Sequence, residues 1–134
     1  MEQFAPLRRK KDGQPVRYLV VDDSVFARKN LGKMIETFGG EVAGEAPDGL
    51  AAITEYGRVL PDMVLMDITM PEMDGLTALK EIRKIDPSAR VAMVTAMGQQ
   101  AIVMAALKAG ARDFVLKPFQ PDRILAILQK LLAA

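Results

Sequence analysis

The chain has 134 residues, a length typical of one domain, and half of its residues are hydrophobic. Its 18 basic and 17 acidic residues leave a net charge of +1, which argues against nucleic-acid or membrane binding through bulk charge. The chain contains no cysteine and no histidine, which excludes disulfides and histidine chemistry within it and suits a cytoplasmic protein.

The first 15 residues differ from the rest of the chain. They show no hydrophobic period and contain Pro6, Gly13 and Pro15, which disfavour regular structure. A run of cations lies among them: Arg8, Arg9, Lys10 and Lys11. We therefore predict a flexible basic N-terminal extension over residues 1–15 and one domain over 16–134. A docking arm for an acidic partner is the alternative for the extension.

The first half of the domain alternates short apolar runs with helical patterns. Tyr18–Val21 is an apolar run that predicts a strand. Residues 24–38 then show helical spacing, with Asp23 or Ser24 as a cap and Gly39-Gly40 as a stop. Glu41–Ala46 predicts a second, weaker strand, and Asp48 can cap a short helix as far as Tyr56.

The second half repeats this alternation. Met63–Met66 is a continuous apolar run, which is typical of a parallel strand buried on both faces. The remaining predicted elements are a helix capped by Asp74 that runs to Ile85, a strand at Val91–Val94, a helix at Gln99–Ala109, a strand at Phe114–Leu116 and a helix from Pro121 to Leu131.

Five strands and five helices in strict alternation predict an α/β fold with a parallel sheet covered by helices on both faces. Right-handed crossovers leave few possible topologies for such a chain. We expect a flavodoxin-like, doubly wound (βα)5 fold with strand order 2-1-3-4-5.

Polar side chains stand at the ends of four predicted strands. Asp22 and Asp23 end the first strand, Asp67 the third, Thr95 the fourth and Lys117 the fifth. Taken singly, an acidic pair is often a helix cap and a strand-end aspartate is often a turn residue. In the predicted order these four strands are neighbours, so the five side chains should meet at one edge of the sheet, where such folds bind ligands.

Three carboxylates in one place suit a hard divalent cation such as Mg²⁺, which prefers oxygen ligands and joins phosphates. A lysine opposite them adds a compact positive charge for a phosphoryl oxygen. A carboxylate nucleophile can form an acyl phosphate, and the transfer then needs positioning and charge neutralisation. The pattern therefore predicts phosphoryl transfer onto an aspartate.

The motifs resemble one known family. The matching segments are LVVDDS (19–24), MDITMPEMDG (66–75), TAMGQQ (95–100), KAGARDF (108–114) and LKPFQP (116–121). The chain resembles the response-regulator receiver family over about residues 16–132, and within that family the stand-alone CheY-like chemotaxis proteins.

The resemblance implies a role for each site residue. Asp67 is the phosphoacceptor, and Mg²⁺ is held by Asp22, Asp23, Asp67 and the main-chain carbonyl of Thr69. Thr95 and Lys117 bind the phosphoryl group, the latter next to a cis peptide at Pro118, and Phe114 is the aromatic residue that turns inward in the switch.

The predicted fourth helix offers a candidate partner surface. Its residues Ala101–Leu107 carry no charge. We expect one stripe to face the sheet: Ile102, Ala105, Ala106 and Ala109. Val103 and Leu107, four residues apart, would then lie on a second face and form an output face together with Phe114 and Lys117.

The resemblance also implies partners. They are a CheA-like sensor histidine kinase, a downstream target such as a flagellar motor switch protein, and a phosphatase, with no nucleic acid and no membrane. The protein is expected to be a monomeric, cytoplasmic signalling switch rather than an enzyme, although it has intrinsic phosphotransfer and autodephosphorylation activity.

Three alternative functions share some of these features. The chain could be the receiver of a longer transcriptional regulator, although its end at Ala134, right after the last helix, favours a stand-alone protein. A phosphatase of the haloacid-dehalogenase kind needs a second acidic residue two positions after the nucleophile, where Thr69 stands. A dinucleotide-binding domain is disfavoured because no G-x-G-x-x-G follows the first strand.

Overall fold

The computed structural model describes residues 6–96 and 100–133. Five strands alternate with five helices in the order β1 (Arg17–Val21), α1 (Val25–Thr37), β2 (Glu41–Ala46), α2 (Gly49–Val59), β3 (Met63–Asp67), α3 (Gly75–Ile85), β4 (Val91–Ala96), α4 (Gln100–Lys108), β5 (Asp113–Lys117) and α5 (Pro121–Ala133). All strand pairs are parallel and the sheet order is β2-β1-β3-β4-β5, which confirms the predicted fold.

The central strands are buried on both faces, as their continuous apolar runs predict. Successive side chains of a strand point to opposite faces of the sheet. In β3, Val64 and Met66 join the apolar cluster beneath α2, α3 and α4, whereas Met63 and Leu65 join the cluster beneath α1 and α5. The sheet therefore separates two cores, and its polar strand ends lie together at one edge.

Helices α1, α2 and α3 each begin at a capping side chain. Ser24, Asp48 and Asp74 accept hydrogen bonds from the backbone N–H groups of Ala27 (3.2 Å), Ala51 (2.8 Å) and Thr77 (2.7 Å), respectively. Such caps satisfy N–H groups that have no partner within the helix. Because each cap lies soon after the carboxyl end of a strand, these helix starts all surround the same edge of the sheet.

The described part of the N-terminal extension, residues 6–15, is named here the N-terminal strap. Arg8 and Pro15 form an antiparallel bridge within it. Leu7 is 9% exposed within the α1–α5 core, and its N–H donates to the carbonyl of Phe38 at the end of α1 (3.0 Å). Arg9 lies 3.8 Å from the carboxylate of Asp62.

The strap therefore contacts the domain through Leu7 and Arg9. Leu7 is a single apolar residue whose burial the hydrophobic period of so short a segment does not indicate. Flexibility of the segment stays a prediction, as does the boundary at residue 16.

The predicted sheet-facing side of α4 is right for Ala106 but wrong for Ile102 and Val103. Val103 is 5% exposed and Ala106 is fully buried, so these two residues face the sheet. Leu107 is half-buried and packs against the same apolar cluster. Ile102 and Met104 are instead 39% and 54% exposed. Because α4 has apolar residues all round, its sequence does not determine which side lies on the sheet.

Among the described residues, no helix combines the length and apolarity that crossing a membrane requires.

Candidate functional site

Three carboxylates meet at the carboxyl edge of the sheet. Asp22 directly follows β1 and Asp67 is the last residue of β3, and since Val21 pairs with Met66 the two aspartates lie level with each other. One carboxylate oxygen from each of Asp22, Asp23 and Asp67 lies within 4.8 Å of the others. Asp22 is buried, Asp67 is half-buried and Asp23 is exposed, so the cluster is open to solvent on one side.

Asp22 is held at both its main chain and its side chain. Its N–H donates to the carbonyl of Ala46 at 3.1 Å, and its own carbonyl accepts a hydrogen bond from Arg28 Nη1 at 2.6 Å. Its Oδ1 accepts from the N–H of Ser24 at 2.9 Å, and its Oδ2 accepts from Lys117 Nζ at 2.8 Å. This carboxylate is therefore preorganised before any ligand binds.

Lys117 bridges two of the carboxylates. Its Nζ lies 2.8 Å from Asp22 Oδ2 and 3.3 Å from Asp67 Oδ2, and the peptide to Pro118 is cis. Burial alone would lower the pKa of Lys117, but the hydrogen bond to Asp22 and the negative charges of both aspartates raise it above its ordinary value. The side chain thus remains an ammonium at neutral pH.

Asp67 lies in an unfavourable environment for a negative charge. Burial raises the pKa of its carboxyl, and the charge of Asp22 adds to that rise, whereas Lys117 opposes it. One ammonium does not balance three carboxylates. A bound cation would relieve the remaining repulsion, because a divalent ion is the largest local charge wherever it binds.

Two glycines allow the backbone around Asp67 to pack closely. The N–H of Gly75, at the start of α3, donates to the carbonyl of Ile68 at 2.7 Å, and a Cβ at residue 75 would overlap the main-chain carbonyl of Asp67. The N–H of Gly49 similarly donates to the carbonyl of Met73 at 3.0 Å, where a Cβ would also collide. The starts of α2 and α3 can therefore close around the loop that follows the acceptor.

The remaining predicted site residues lie around this cluster. Thr95 lies within β4 instead of after it, is 1% exposed, and its hydroxyl is 3.4 Å from the carbonyl of Ala96. Phe114 is half-buried on β5 and packs against the core beneath α4. Thr69 is exposed two residues after Asp67. Residues 97–99 of the TAMGQQ segment lie outside the described residues.

The donor set fits a hard divalent cation. The chain offers no histidine or cysteine, so the ligands at this edge are oxygens only. Opposite oxygens in a Mg²⁺ shell are about 4.2 Å apart, because each Mg–O distance is close to 2.1 Å. One oxygen from each carboxylate lies within 4.8 Å of the other two, which is compatible with the separations that the ion needs.

Sequence reasoning missed Arg28. This residue lies in the first half of α1 and reaches both the carbonyl of Asp22 and the carboxylate of Glu45. Its neighbours Lys29 and Lys33 are exposed helix cations, and the sequence does not distinguish Arg28 from them. Its spacing of six residues from Asp22 indicates a contact only once the geometry of the strand–helix turn is known.

The chain is similar to known proteins over most of its length. Residues 18–129 match the family described as "Response regulator receiver domain". The chain is 54% identical to the chemotaxis protein CheY of Thermotoga maritima over 114 residues, which cover 85% of this chain and 95% of that protein. It is 52% identical to the chemotaxis protein CheY of Bacillus subtilis over 116 residues, 87% of this chain and 97% of that one.

Solved structures agree with these sequence matches. A chain in the crystal structure of the CheX–CheY–BeF3–Mg complex of Borrelia burgdorferi superposes with a TM-score of 0.88 at 36% identity, covering 92% of this chain and 94% of that chain. The receiver domain of Thermotoga maritima CheB superposes with a TM-score of 0.79 at 37% identity, covering 88% and 97% of the two chains. The chain therefore belongs to the response-regulator receiver family and is CheY-like over most of its length.

Proposed function

We propose that this receiver is a chemotaxis phosphoacceptor that takes a phosphoryl group from the phosphohistidine of a CheA-like sensor kinase onto Asp67. The supporting observation is the position of the Asp67 carboxylate, which lies within 4.8 Å of oxygens from two further aspartates and 3.3 Å from the ammonium of Lys117. The curated relatives reported above are named chemotaxis proteins, which supports the assignment to that pathway.

The chemistry needs few groups from the chain. A carboxylate oxygen of Asp67 attacks phosphorus, the bond to the histidine nitrogen of the partner breaks, and an acyl phosphate forms. Lys117 pairs with a phosphoryl oxygen, and Asp22, Asp23 and Asp67, with the carbonyl of Thr69, would hold Mg²⁺. When bound, the ion neutralises charge on the transferring group. Attack of water on phosphorus then releases inorganic phosphate and restores Asp67.

The acyl phosphate would shift the equilibrium between two packings of the same fold. It adds negative charge and strong acceptor oxygens at Asp67. The packing in which the hydroxyl of Thr95 and the ammonium of Lys117 contact these oxygens gains differential free energy, on the order of 1–3 kcal/mol. Phe114, on the face of β5 that packs against the core beneath α4, would turn further inward in that packing.

The burial pattern revises the proposed output face. Leu116 lies two residues after Phe114 on the same face of β5 and is 43% exposed, and Ile102 on α4 is 39% exposed. These two residues replace Val103 and Leu107 beside Phe114 and Lys117. We propose that a target such as a flagellar motor switch protein binds there and that a phosphatase ends the signal. A monomeric, cytoplasmic state remains a prediction.

The test is phosphorylation by a small acyl-phosphate donor with Mg²⁺, followed by intact mass and by hydroxylamine sensitivity of the product. The wild-type chain should gain one phosphoryl group, and Asp67→Asn should gain none, because an amide is not a nucleophile for this transfer. Asp122→Asn removes an exposed aspartate from the start of α5 and serves as the matched control. Undiminished labelling of Asp67→Asn would refute the assignment.

A further inference from the structure

We infer that Arg28 is a positioning residue that holds the ligands Asp22 and Asp23 in the geometry a divalent cation requires; this rests on the proposed function. Its Nη1 donates to the main-chain carbonyl of Asp22 at 2.6 Å. The first turn of α1 brings the residue back over the end of β1, since the Arg28 N–H bonds the carbonyl of the cap Ser24 at 3.0 Å.

That carbonyl belongs to the peptide that joins the two aspartates. A peptide unit is planar, so the direction of its carbonyl also sets the positions of the Cα atoms on either side. One hydrogen bond from Arg28 therefore restrains the directions in which the side chains of Asp22 and Asp23 leave the main chain. Mg²⁺ demands near-ideal octahedral geometry, so its affinity is sensitive to this restraint.

Arg28 is itself held in place. Its Nε donates to Glu45 Oε1 on β2 at 3.0 Å, and its side chain is 13% exposed. A planar guanidinium with two acceptors at fixed positions has little freedom to rotate. The same side chain thus links the carboxyl ends of β1 and β2, and its orientation is determined by the sheet rather than by solvent.

Charge and geometry make opposite predictions for this residue. The positive charge of Arg28 lies next to the proposed cation site, so by Coulomb repulsion alone its removal should tighten Mg²⁺ binding. A positioning role predicts weaker binding, because the peptide between the two ligands would be released. The sign of the change therefore separates the two roles.

The experiment is a Mg²⁺ titration of the full chain followed by backbone amide shifts, including that of Asp23, since the chain has no tryptophan to report binding. For Arg28→Gln we expect a Kd about 10-fold weaker than that of the wild type, a typical loss for partners that orient metal ligands. Unchanged or tighter binding by a folded Arg28→Gln protein would overturn the inference.

The matched control is Arg58→Gln, on α2. Arg58 also pairs with a glutamate, Glu55, at 2.8 Å, but its side chain is 64% exposed. This variant loses the same charge and the same kind of ion pair, so we expect its Kd to stay within about twofold of the wild type. A loss as large as that of Arg28→Gln would show that weaker binding does not depend on the contact with the carbonyl of Asp22, and would overturn the inference.

Arg28→Lys covers the case in which the glutamine variant does not fold. Lysine keeps the charge, but its ammonium cannot reproduce the planar fork, so we expect at least about threefold weaker binding. Wild-type affinity in this variant would then overturn the inference.

Asp22→Asn tests the proposed metal site separately. If it binds Mg²⁺ as the wild type does, the metal site is wrong. If it loses binding while Arg28→Gln does not, only the role of Arg28 is wrong.

Discussion

At the scale of single residues, burial of Asp67 links its charge to the stability of the fold. Because its pKa is raised in the folded state, folding favours the protonated form. Stability from this group is greatest below the ordinary carboxyl pKa and is lost as pH rises through the raised value. Without divalent cations, Asp67→Asn, which cannot ionise, should be more stable than the wild type at neutral pH.

The measurement is urea unfolding in the presence of a chelator at several pH values. The advantage of Asp67→Asn should shrink as the pH falls through the raised pKa of Asp67 towards the ordinary carboxyl value of about 3.9, because the folded wild type then loses its charge at this position. Added Mg²⁺ should stabilise the wild type by an amount that rises with the logarithm of its concentration above Kd, and should stabilise the variant less. Equal stability of the two proteins at neutral pH would contradict the burial argument.

At the scale of elements, a hydrogen bond joins α2 to the end of α3. The hydroxyl of Tyr56 donates to Asp86 Oδ2 at 2.7 Å, and the tyrosine is 3% exposed. Burial and this bond raise the pKa of Tyr56. We expect Tyr56→Phe to lower the free energy of unfolding by about 1–3 kcal/mol, as for hydrogen bonds to charged groups. A double-mutant cycle with Asp86→Asn, read by urea unfolding, should show coupling between the two, and additive losses would exclude it.

The orientation of α4 gives a second prediction at this scale. Val103→Ala should cost on the order of 2 kcal/mol, since it leaves a cavity against the sheet. Met104→Ala, at a residue that is 54% exposed, should change stability by less than about 0.5 kcal/mol. Thermal or urea unfolding of both variants checks this, and a larger loss for Met104→Ala than for Val103→Ala would contradict this orientation of α4.

A parallel sheet covered on both faces could be predicted because β3 and β4 carry uninterrupted apolar runs that only such a sheet can bury. The strand order was chosen as the flavodoxin-like one among the few topologies that right-handed crossovers leave. The acidic cluster followed from that order, since it depends on strand ends alone. The face of α4 could not be predicted, because apolar residues on every side leave the choice to packing. Arg28 was missed for a similar reason, as its role depends on a contact across two strands.

At the scale of the whole molecule, the strap adds a contact beyond the family match, which begins at residue 18. Leu7 fills part of the core beneath α1 and α5 and caps the end of α1 through Phe38. Leu7→Ala should lower the free energy of unfolding by about 2 kcal/mol, whereas Lys10→Ala, at an exposed residue, should have no effect beyond about 0.5 kcal/mol. Urea unfolding of both variants measures these changes. Identical unfolding curves for the wild type and Leu7→Ala would mean that the strap is not bound to the domain in solution.

Because Gly75 lies so close to Asp67, the site requires a glycine at residue 75 as well as its carboxylates and its lysine. A methyl group at residue 75 would meet the carbonyl oxygen of the acceptor, so even alanine there would displace a chemically intact nucleophile. A search for proteins with this chemistry by their acidic residues and lysine alone would therefore accept sequences that cannot hold the acceptor in place. Requiring a hydrogen atom in place of a side chain at this one position would reject them.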